Sequence, residues 1–443
     1  MFPLPQNFCS RIEKDERFGS KLLEDLEANS PISIRKNPSK LPTLFEGERA
    51  VPWCKNGVYL PERPSFTLDP NFHAGSYYPQ EAGSMYLDAI LKSLELPENP
   101  AILDLCAAPG GKSTLIASHL NGKGVLVSNE VIRSRAHILA ENCSKWGFSN
   151  VLVSNNDPAD FEEIPSLFDV IVVDAPCSGE GMFRKDQRSR NEWSEENAAL
   201  CSSRQRRILM DIWTSLKEDG FLIYSTCTFN SAENEDNIDW FLSQVNAELV
   251  SLPIYENVLY LENNRGAYFV PGQTESEGFY CVILQKKESQ LQKTSKLKPL
   301  KSVDVSFLKD WCEWNENLTF SEYEGNLRAL TKESNELYQN IGQKLRWVKR
   351  GVAVATNQKR NWQPEAEWAL SVDSKFHETV VLNRHDAISY LQGNVLNLNA
   401  GLGWKVVQFE GNNLGWVKNI GNRMNNAYPK EWRIRMKIDL KDI

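Results

Sequence analysis

The chain has 443 residues and a mass of 50.5 kDa, which suits two or three domains with interior enough for several cores. With 41% hydrophobic and 24% charged residues, 21 Pro and 25 Gly, it has a globular composition, which excludes the disordered and collagen-like classes, while a net charge of -8 argues against a uniformly basic nucleic-acid binder. No apolar run approaches the ~18 residues of a membrane helix, and the opening MFPLPQNFCSRIEKDERFG lacks the apolar core of a signal peptide, so a cytoplasmic protein without membrane contact is expected.

Residues 1–95 mix short helical stretches with a Pro-punctuated extended segment, VPWCKNGVYLPERPSFTLDPNF, and predict a small N-terminal α+β subdomain whose basic island is SIRKNPSK. From Ala101 the pattern changes to apolar runs of five or six residues alternating with helical stretches, the mark of a doubly wound parallel sheet. The predicted strands are AILDLCA, VLVSNE, VLVSNN, FDVIVVDA, GFLIYST and GFYCVILQ, with helices starting near Lys112, Arg133, Asn197 and Ala232. This α/β domain spans 96–285. Residues 286–302 are Lys-rich and without periodicity, and read as an exposed linker. Within the C-terminal unit, 303–443, residues 303–340 read as helical and acidic, and 345–436 as a small mostly-β domain of short Val, Trp and Phe segments broken by Gly and Asn. Charge is unevenly spread. Residues 341–443 hold 16 Lys plus Arg against 9 Asp plus Glu, net +7, which leaves -15 for residues 1–340.

The nine cysteines are scattered and include no C-x-x-C pair, and the five histidines form no H-x-x-x-H or H-x-H pair. Free thiols in a reducing compartment and no metal are expected.

Chemistry concentrates at the strand ends. The first strand runs into ILDLCAAPGGKSTLIASHL, an acidic strand end followed by a tight Pro-Gly-Gly turn and a helix. In doubly wound folds the ligand lies outside the carboxyl ends of the strands, and glycines in the first turn let the backbone approach it. Glu130 ends the second strand, where a carboxylate accepts from ribose hydroxyls, and Asp157 follows the third, within reach of an adenine amino group. Three successive strand ends would surround an adenosine. An NAD site shares the glycine turn and the acid, but G-x-G-x-x-G is absent, and S-adenosyl-L-methionine is the favoured cofactor.

The fourth and fifth strands end in DAPCSGEGMFRKD and YSTCTFNSAENEDN, so Cys177 and Cys227 emerge from the same edge. Free cysteines are usually buried packing residues, and for most of the nine that reading wins. On adjacent strands, roughly 4.8 Å apart, these two thiols converge on one crevice. Two thiols beside a methyl donor suit methylation at C5 of a pyrimidine, a carbon too electron-poor to react unaided. Thiolate addition at C6 makes C5 nucleophilic, the methyl transfers, and loss of the C5 proton with elimination of the thiol restores the enzyme. Asp174, heading D-A-P-C, is placed to hydrogen-bond the base edge. Neither an NAD-linked dehydrogenase nor a catalytically silent RNA-binding protein explains the two thiols.

At CAAPGGK, the following acid, DAPCSGEG and YSTCT, in that order, the chain resembles the Fmu/Sun/Nop family of RNA cytosine-C5 methyltransferases. The resemblance extends to HAGSYYPQEAGSMY, MFRKDQRSRNEW and SSRQRRIL, and implies a class I methyltransferase fold. It implies that Cys227 of the T-C motif is the nucleophile and Cys177 of the P-C motif assists product release. The family's cofactor contacts would fall on Cys106, Ala107, Ala108, Pro109, Gly110, Gly111, Lys112, Glu130, Asp157 and Asp174. The segment from DAISYLQGNVLNLNAGLGW to EWRIRM resembles the accessory domain of bacterial RsmF-type ribosomal RNA enzymes. That likeness implies a PUA-like RNA-binding domain, 16S ribosomal RNA or the small ribosomal subunit as partner, with tRNA as the alternative substrate, and a monomer. Trp347, Trp362, Trp368, Trp404, Trp416 and Trp432 fall in the +7 region, compatible with a stacking and phosphate-contacting surface, although for any one of them a core position is the stronger expectation. The arginines of RKDQRSR and RQRR suit RNA contact and a solvated helix face equally. Gly83 and the segment PGQTESEGF depart from the family's usual small polar and basic residues.

Overall fold

The computed structural model describes residues 2–40, 45–288, 303–323, 325–358, 361–397 and 400–436. All six predicted strands of the central domain form: β1 (Ala101–Asp104), β2 (Val125–Asn129), β3 (Val151–Ser154), β4 (Phe168–Asp174), β5 (Leu216–Thr226) and β6 (Phe279–Lys286). They lie in the order β6-β5-β4-β1-β2-β3. Strands β1 to β5 are parallel, but β6 is antiparallel to β5, with Tyr280 opposite Thr226, so the sheet is mixed rather than wholly parallel. The cause is local. The strand Ala267–Phe269 folds back on β6 as an antiparallel neighbour through a connection without a crossover helix, and β6 therefore enters from the opposite end.

Side chains alternate between two cores. Leu103, Val127, Ile171, Val173 and Leu222 point to one face, against Ile208, Leu209 and Ile212 of the helix Glu195–Trp213 and against Phe8, Ile12 and Leu22 of two N-terminal helices. Ile102, Leu126, Val170, Val172 and Ile223 point to the other, against the helices Gly111–Leu120, Arg133–Trp146 and Leu87–Ser93. Each such fully buried aliphatic side chain contributes about 1.5 to 3 kcal/mol relative to leaving it exposed. Continuous apolar strands are what a sheet covered on both faces requires.

The N-terminal region adds a three-stranded antiparallel sheet, with Ile32–Lys36 between Gly57–Leu60 and Tyr77–Pro79. Two of the three cations in SIRKNPSK turn inward. Arg35 donates to Gln80 Oε1 at 2.7 Å and Thr114 Oγ1 at 2.6 Å and lies 4.6 Å over the Trp146 ring, while Lys40 donates to the carbonyls of Ala74 and Lys145. This basic island fastens the subdomain to the helix that follows the Pro-Gly-Gly turn and to the end of the next helix, Arg133–Trp146.

Lys286 ends β6, its Nζ donating to the carbonyls of Trp213 and Leu216; residues 289–302 of the predicted linker lie outside the described residues. The helical expectation for 303–340 holds in a short 3-10 stretch, Ser306–Asp310, and at its end. β7 (Leu318–Tyr323) and β8 (Asn326–Thr331) form a hairpin, and the helix Lys332–Ile341 follows with Thr331 as its cap. The acidic residues suggested a solvated helix, but Leu327 and Ala329 alternate inward with period two and Gly325 turns at φ +75°. β9 (Trp347–Arg350) then pairs antiparallel with β3 and extends the central sheet. β10 (Val352–Gln358) and the edge strand β11 (Asn361–Pro364) complete a four-stranded sheet with β7 and β8. β12 (Gly403–Phe409) and β13 (Asn412–Asn419) are the central pair of the last sheet. No helix among the described residues is long and apolar enough to cross a membrane.

Candidate active site

Parallel pairing of β4 with β5, Asp174 opposite Ser225, carries the two cysteine loops out of one sheet edge side by side. Cys177 Sγ lies 3.1 Å from Cys227 Sγ, and the Cys227 N–H points at Cys177 Sγ at 3.3 Å. The loops are cross-bound behind the thiols. The Gly181 N–H donates to the Cys227 carbonyl at 2.9 Å, and the hydroxyls of Ser178 and Thr228 are 2.9 Å apart. Glu233 accepts from the Ser178 N–H at 2.8 Å and from Gln205 at 3.0 Å. Fully buried Glu180 accepts from the Phe229 N–H, the Trp193 indole and, at 2.6 Å, Arg11. An uncompensated buried carboxylate would cost several kcal/mol; here each is met by donors, which locks both loops in one geometry.

The hydrogen bond with Cys227, then burial and the nearby Cys227 and Glu233 charges, push the Cys177 thiol well above its ordinary range and keep it protonated. Lys112 Nζ lies 2.8 Å from Asp174 Oδ2. Burial opposes its charge, but Asp174, Asp104 and Cys227 outweigh burial and raise its pKa, so Lys112 is an ammonium in the cleft that Cys227 also lines. Burial pushes Asp104 up to about 7, against the Ser113 hydroxyl that donates to Oδ2 at 2.6 Å. Its Oδ1 is buried and, among the described residues, has no hydrogen-bond partner.

A cleft of about 280 Å³ opens at this edge. Of the residues named from sequence, Cys106, Ala107, Ala108, Pro109, Gly111, Lys112, Asp174 and Cys227 line it. Cys177 sits behind Cys227 rather than in the lining, and Gly110 makes the turn at φ +117°. Glu130 is buried beyond β2, accepting from the Ile132 N–H at 2.9 Å with Arg135 at 3.4 Å. Asp157 accepts from the Ala159 N–H and pairs with Arg207 at 2.9 Å, which holds its carboxyl below the usual range. Neither of these two lines the cleft, although the Glu130 charge acts on Asp104 and Cys106, which do.

Other lining residues were not singled out: Tyr78, Gln80, Glu81, Met182, Glu277 and Phe279. Glu81 accepts from the N–H groups of Gly83, Ser84 and Glu277, and Glu277 pairs with buried Arg184 at 2.9 Å. A signal for this wall was present in E-G-F: a Cβ on Gly278 would lie 2.6 Å from Gly181 Cα and 2.4 Å from the Phe229 ring, so only glycine lets β6 approach the cysteine loops. The arginines of MFRKDQRSR and RQRR meet neither expectation fully. Arg184 and Arg190 are buried clamps, the latter donating to the carbonyls of Phe183, Phe2 and Leu26 and to Glu27, whereas Arg207 is half exposed on Asp157.

Three family profiles match the chain: 16S rRNA methyltransferase RsmB/F over residues 91–285, the N-terminal domain of 16S rRNA methyltransferase RsmF over 4–82, and the methyltransferase RsmF PUA domain over 377–434. Ribosomal RNA small subunit methyltransferase F of Aeromonas salmonicida is 32% identical over 405 residues, covering 86% of this chain and 84% of that protein. The chain belongs to the RsmF family. Its Vibrio cholerae member is 28% identical across 97% of both proteins. Among solved structures, a methyltransferase homolog protein from Pyrococcus horikoshii is 29% identical with a TM-score of 0.55, over 64% of this chain and 95% of that one. NSun6 from Pyrococcus horikoshii, solved with SFG, has the same TM-score at 20% identity and shares the fold. This RsmF-family chain therefore has a class I methyltransferase domain with a mixed central sheet, a family-specific N-terminal domain and a C-terminal PUA domain.

Proposed function

We propose that this RsmF-family chain transfers a methyl group from S-adenosyl-L-methionine to C5 of a cytosine in 16S ribosomal RNA, through a covalent bond between Cys227 and C6 of the base. The observation that carries this reading is the pair of thiols 3.1 Å apart, Cys227 lining the cleft together with the Lys112–Asp174 ion pair and Cys177 directly behind it. The cofactor suits its surroundings. Asp104 offers a buried carboxylate oxygen with no partner among the described residues, which matches a cationic group, and the turn at Gly110 and Gly111 opens a helix of ten residues whose cap supplies no side-chain acceptor for its first N–H groups, which matches a carboxylate. Bound there, S-adenosyl-L-methionine supplies an electrophilic methyl carbon.

The division of labour between the thiols follows from their surroundings. Cys227 lines the cleft, where a base can reach it, whereas Cys177 stands behind it and is held as a thiol, so Cys227 is the group that adds to C6. Asp174, half exposed and held by Ser225 and Lys112, accepts from the base edge and favours the protonated ring. Addition forms the S–C6 bond and moves electron density onto C5, which takes the methyl group. Loss of the C5 proton to solvent in the open cleft then returns its electron pair to the ring and breaks the S–C6 bond. Cys177, kept as a thiol against Cys227, serves this last stage by donating its proton to the departing Cys227 sulfur, and is reprotonated from solvent.

Bisulfite sequencing of 16S ribosomal RNA from a strain lacking the gene, with and without the purified protein and cofactor added back, tests the reading. One protected cytosine should vanish on deletion and return on addition. Protection that is unchanged, or that changes only in tRNA, would overturn the assigned substrate.

A further inference from the structure

A second cleft, of about 880 Å³, opens in the C-terminal region between edge strand β11 and the sheet that holds β12 and β13. The indoles of Trp311, Trp362 and Trp404 line it, with the amide side chains of Gln358 and Gln363 and the ammonium of Lys418. None of the described residues lining it carries a carboxylate. The tryptophans here differ from their neighbours. Trp368 and Trp416, 0% and 2% exposed, fill the core beneath, whereas those of the cleft are only half buried. Phe307 stacks parallel to Trp362, ring centroids 5.2 Å apart with planes 2° from parallel, which supports one face of that indole and leaves the other to the cleft. Lys418 Nζ lies 5.2 Å over the Trp404 ring.

We propose that this cleft docks unpaired bases of single-stranded RNA, in addition to the catalytic pocket. The proposal rests on the RNA reading above and adds a site to it. Flat, rigidly backed indoles offer stacking surface to any base, since every base has a π-face. Glutamine amides carry both a donor and an acceptor pair and so answer the mixed edges of bases. A lysine, together with described lining residues free of carboxylates, all but Trp311 from the stretch 341–443 of net +7, meets the phosphates. Stacking needs both faces of a base to be available, and that favours an unpaired strand over a duplex, whose bases are already stacked on each other. A proline-rich peptide also packs on tryptophans, but it has no charge for Lys418 to meet.

The test uses the full-length protein and three fluorescent probes: a mixed-sequence single-stranded RNA dodecamer, the duplex of the same dodecamer, and a proline-rich peptide. Trp362→Ala and Trp404→Ala should each weaken single-strand binding about tenfold, the loss of one stacked base, and leave duplex binding unchanged. Trp404→Phe should recover most of the loss, which separates stacking from a folding defect, and circular dichroism should match across the set. Unchanged single-strand affinity in both alanine variants would overturn the proposal, as would an equal loss for the duplex or tryptophan-dependent binding of the peptide. The same preparations report on the catalytic reading separately. Cytosine methylation with tryptophan-independent RNA binding removes the docking site alone. Tryptophan-dependent binding without methylated cytosine keeps the docking site and removes the assigned reaction.

Discussion

The catalytic edge and the C-terminal cleft use polar and aromatic groups in opposite ways. Around Cys177 and Cys227 the polar side chains are buried and bound to one another; Glu180 and Glu233 accept from six donor groups on five residues, Arg11, Ser178, Trp193, Gln205 and Phe229. In the cleft of Trp362 and Trp404 the amides and the lysine face outward. Bond-making at one carbon needs fixed geometry, and a cross-bound network supplies it before substrate arrives. Holding a flexible strand needs surface, adaptable hydrogen bonds and charge. One substitution should therefore cost far more at the first site than at the second.

The largest expected effect separates the two thiols. With Cys227 as the proposed nucleophile, Cys227→Ala should bring turnover down to background and form no covalent protein–RNA complex. Cys177→Ala leaves addition and methyl transfer intact but hinders release. On a denaturing gel with labelled RNA and cofactor, a slow band should appear for Cys177→Ala and be absent for Cys227→Ala and for the double variant. The reverse pattern would assign attack to Cys177, against its protonated state.

Next in size is the wall of the cleft. Arg184 and Glu277 are both buried, their side chains 6% and 3% exposed, and Arg184→Ala would leave a carboxylate without its cation. A loss of about 3 to 5 kcal/mol in urea unfolding is expected. Lys418→Ala in the outer cleft should shift the same midpoint by no more than about 0.5 kcal/mol, as surface changes do. Equal shifts would erase the contrast between the two regions.

The contrast also explains what could be read beforehand. Strand-end motifs of the central domain were legible because each is a contiguous run whose place in an α/β sheet is dictated by periodicity: β4 and β5 put Cys177 and Cys227 together once they pair. The antiparallel entry of β6 was not legible, since GFYCVILQ carries the same apolar run in either direction. Composition also left the six C-terminal tryptophans undivided. Whether Trp368 is core and Trp362 is open depends on which of them the sheets β7 to β11 cover, and that follows from the hairpin at Gly325, which the acidic residues of 303–340 had disguised as helix. Inward-turned Arg35 and Arg190 show the same limit, because charge patterning marks a cation without telling whether it meets RNA or a buried carbonyl.

A smaller effect concerns Glu130, placed at the end of β2 but outside the lining of the cleft. Glu130→Ala would remove the acceptor proposed for ribose hydroxyls and also the acceptor of the Ile132 N–H. At about 1.5 to 3 kcal/mol for hydrogen bonds to a charged group, cofactor affinity measured by calorimetry should fall by one to two decades. Unchanged affinity would mean that the adenosine lies elsewhere along the edge.

The smallest effect probes Asp104, one of the groups in the cleft that keeps a buried oxygen without a hydrogen-bond partner among the described residues. Burial raises the folded-state pKa of Asp104 from 3.8 to about 7, so between these values the folded chain holds a proton that the unfolded chain has released. Stability contributed by this group is therefore present below pH 3.8 and falls as pH rises toward 7. Cofactor binding should show the opposite slope, because the ionised carboxylate is the form that accepts from a cationic ligand through its free Oδ1. Affinity for S-adenosyl-L-methionine should rise severalfold between pH 6 and 8 in the wild type, and Asp104→Asn, which keeps the size and the Ser113 contact, should flatten that rise while removing the loss of apo stability over pH 4 to 7. A wild-type binding curve that is flat across pH 7, or a slope that survives Asp104→Asn, would show that the buried oxygen is not turned toward the cofactor and that this edge, like the loops behind it, is bound only to itself.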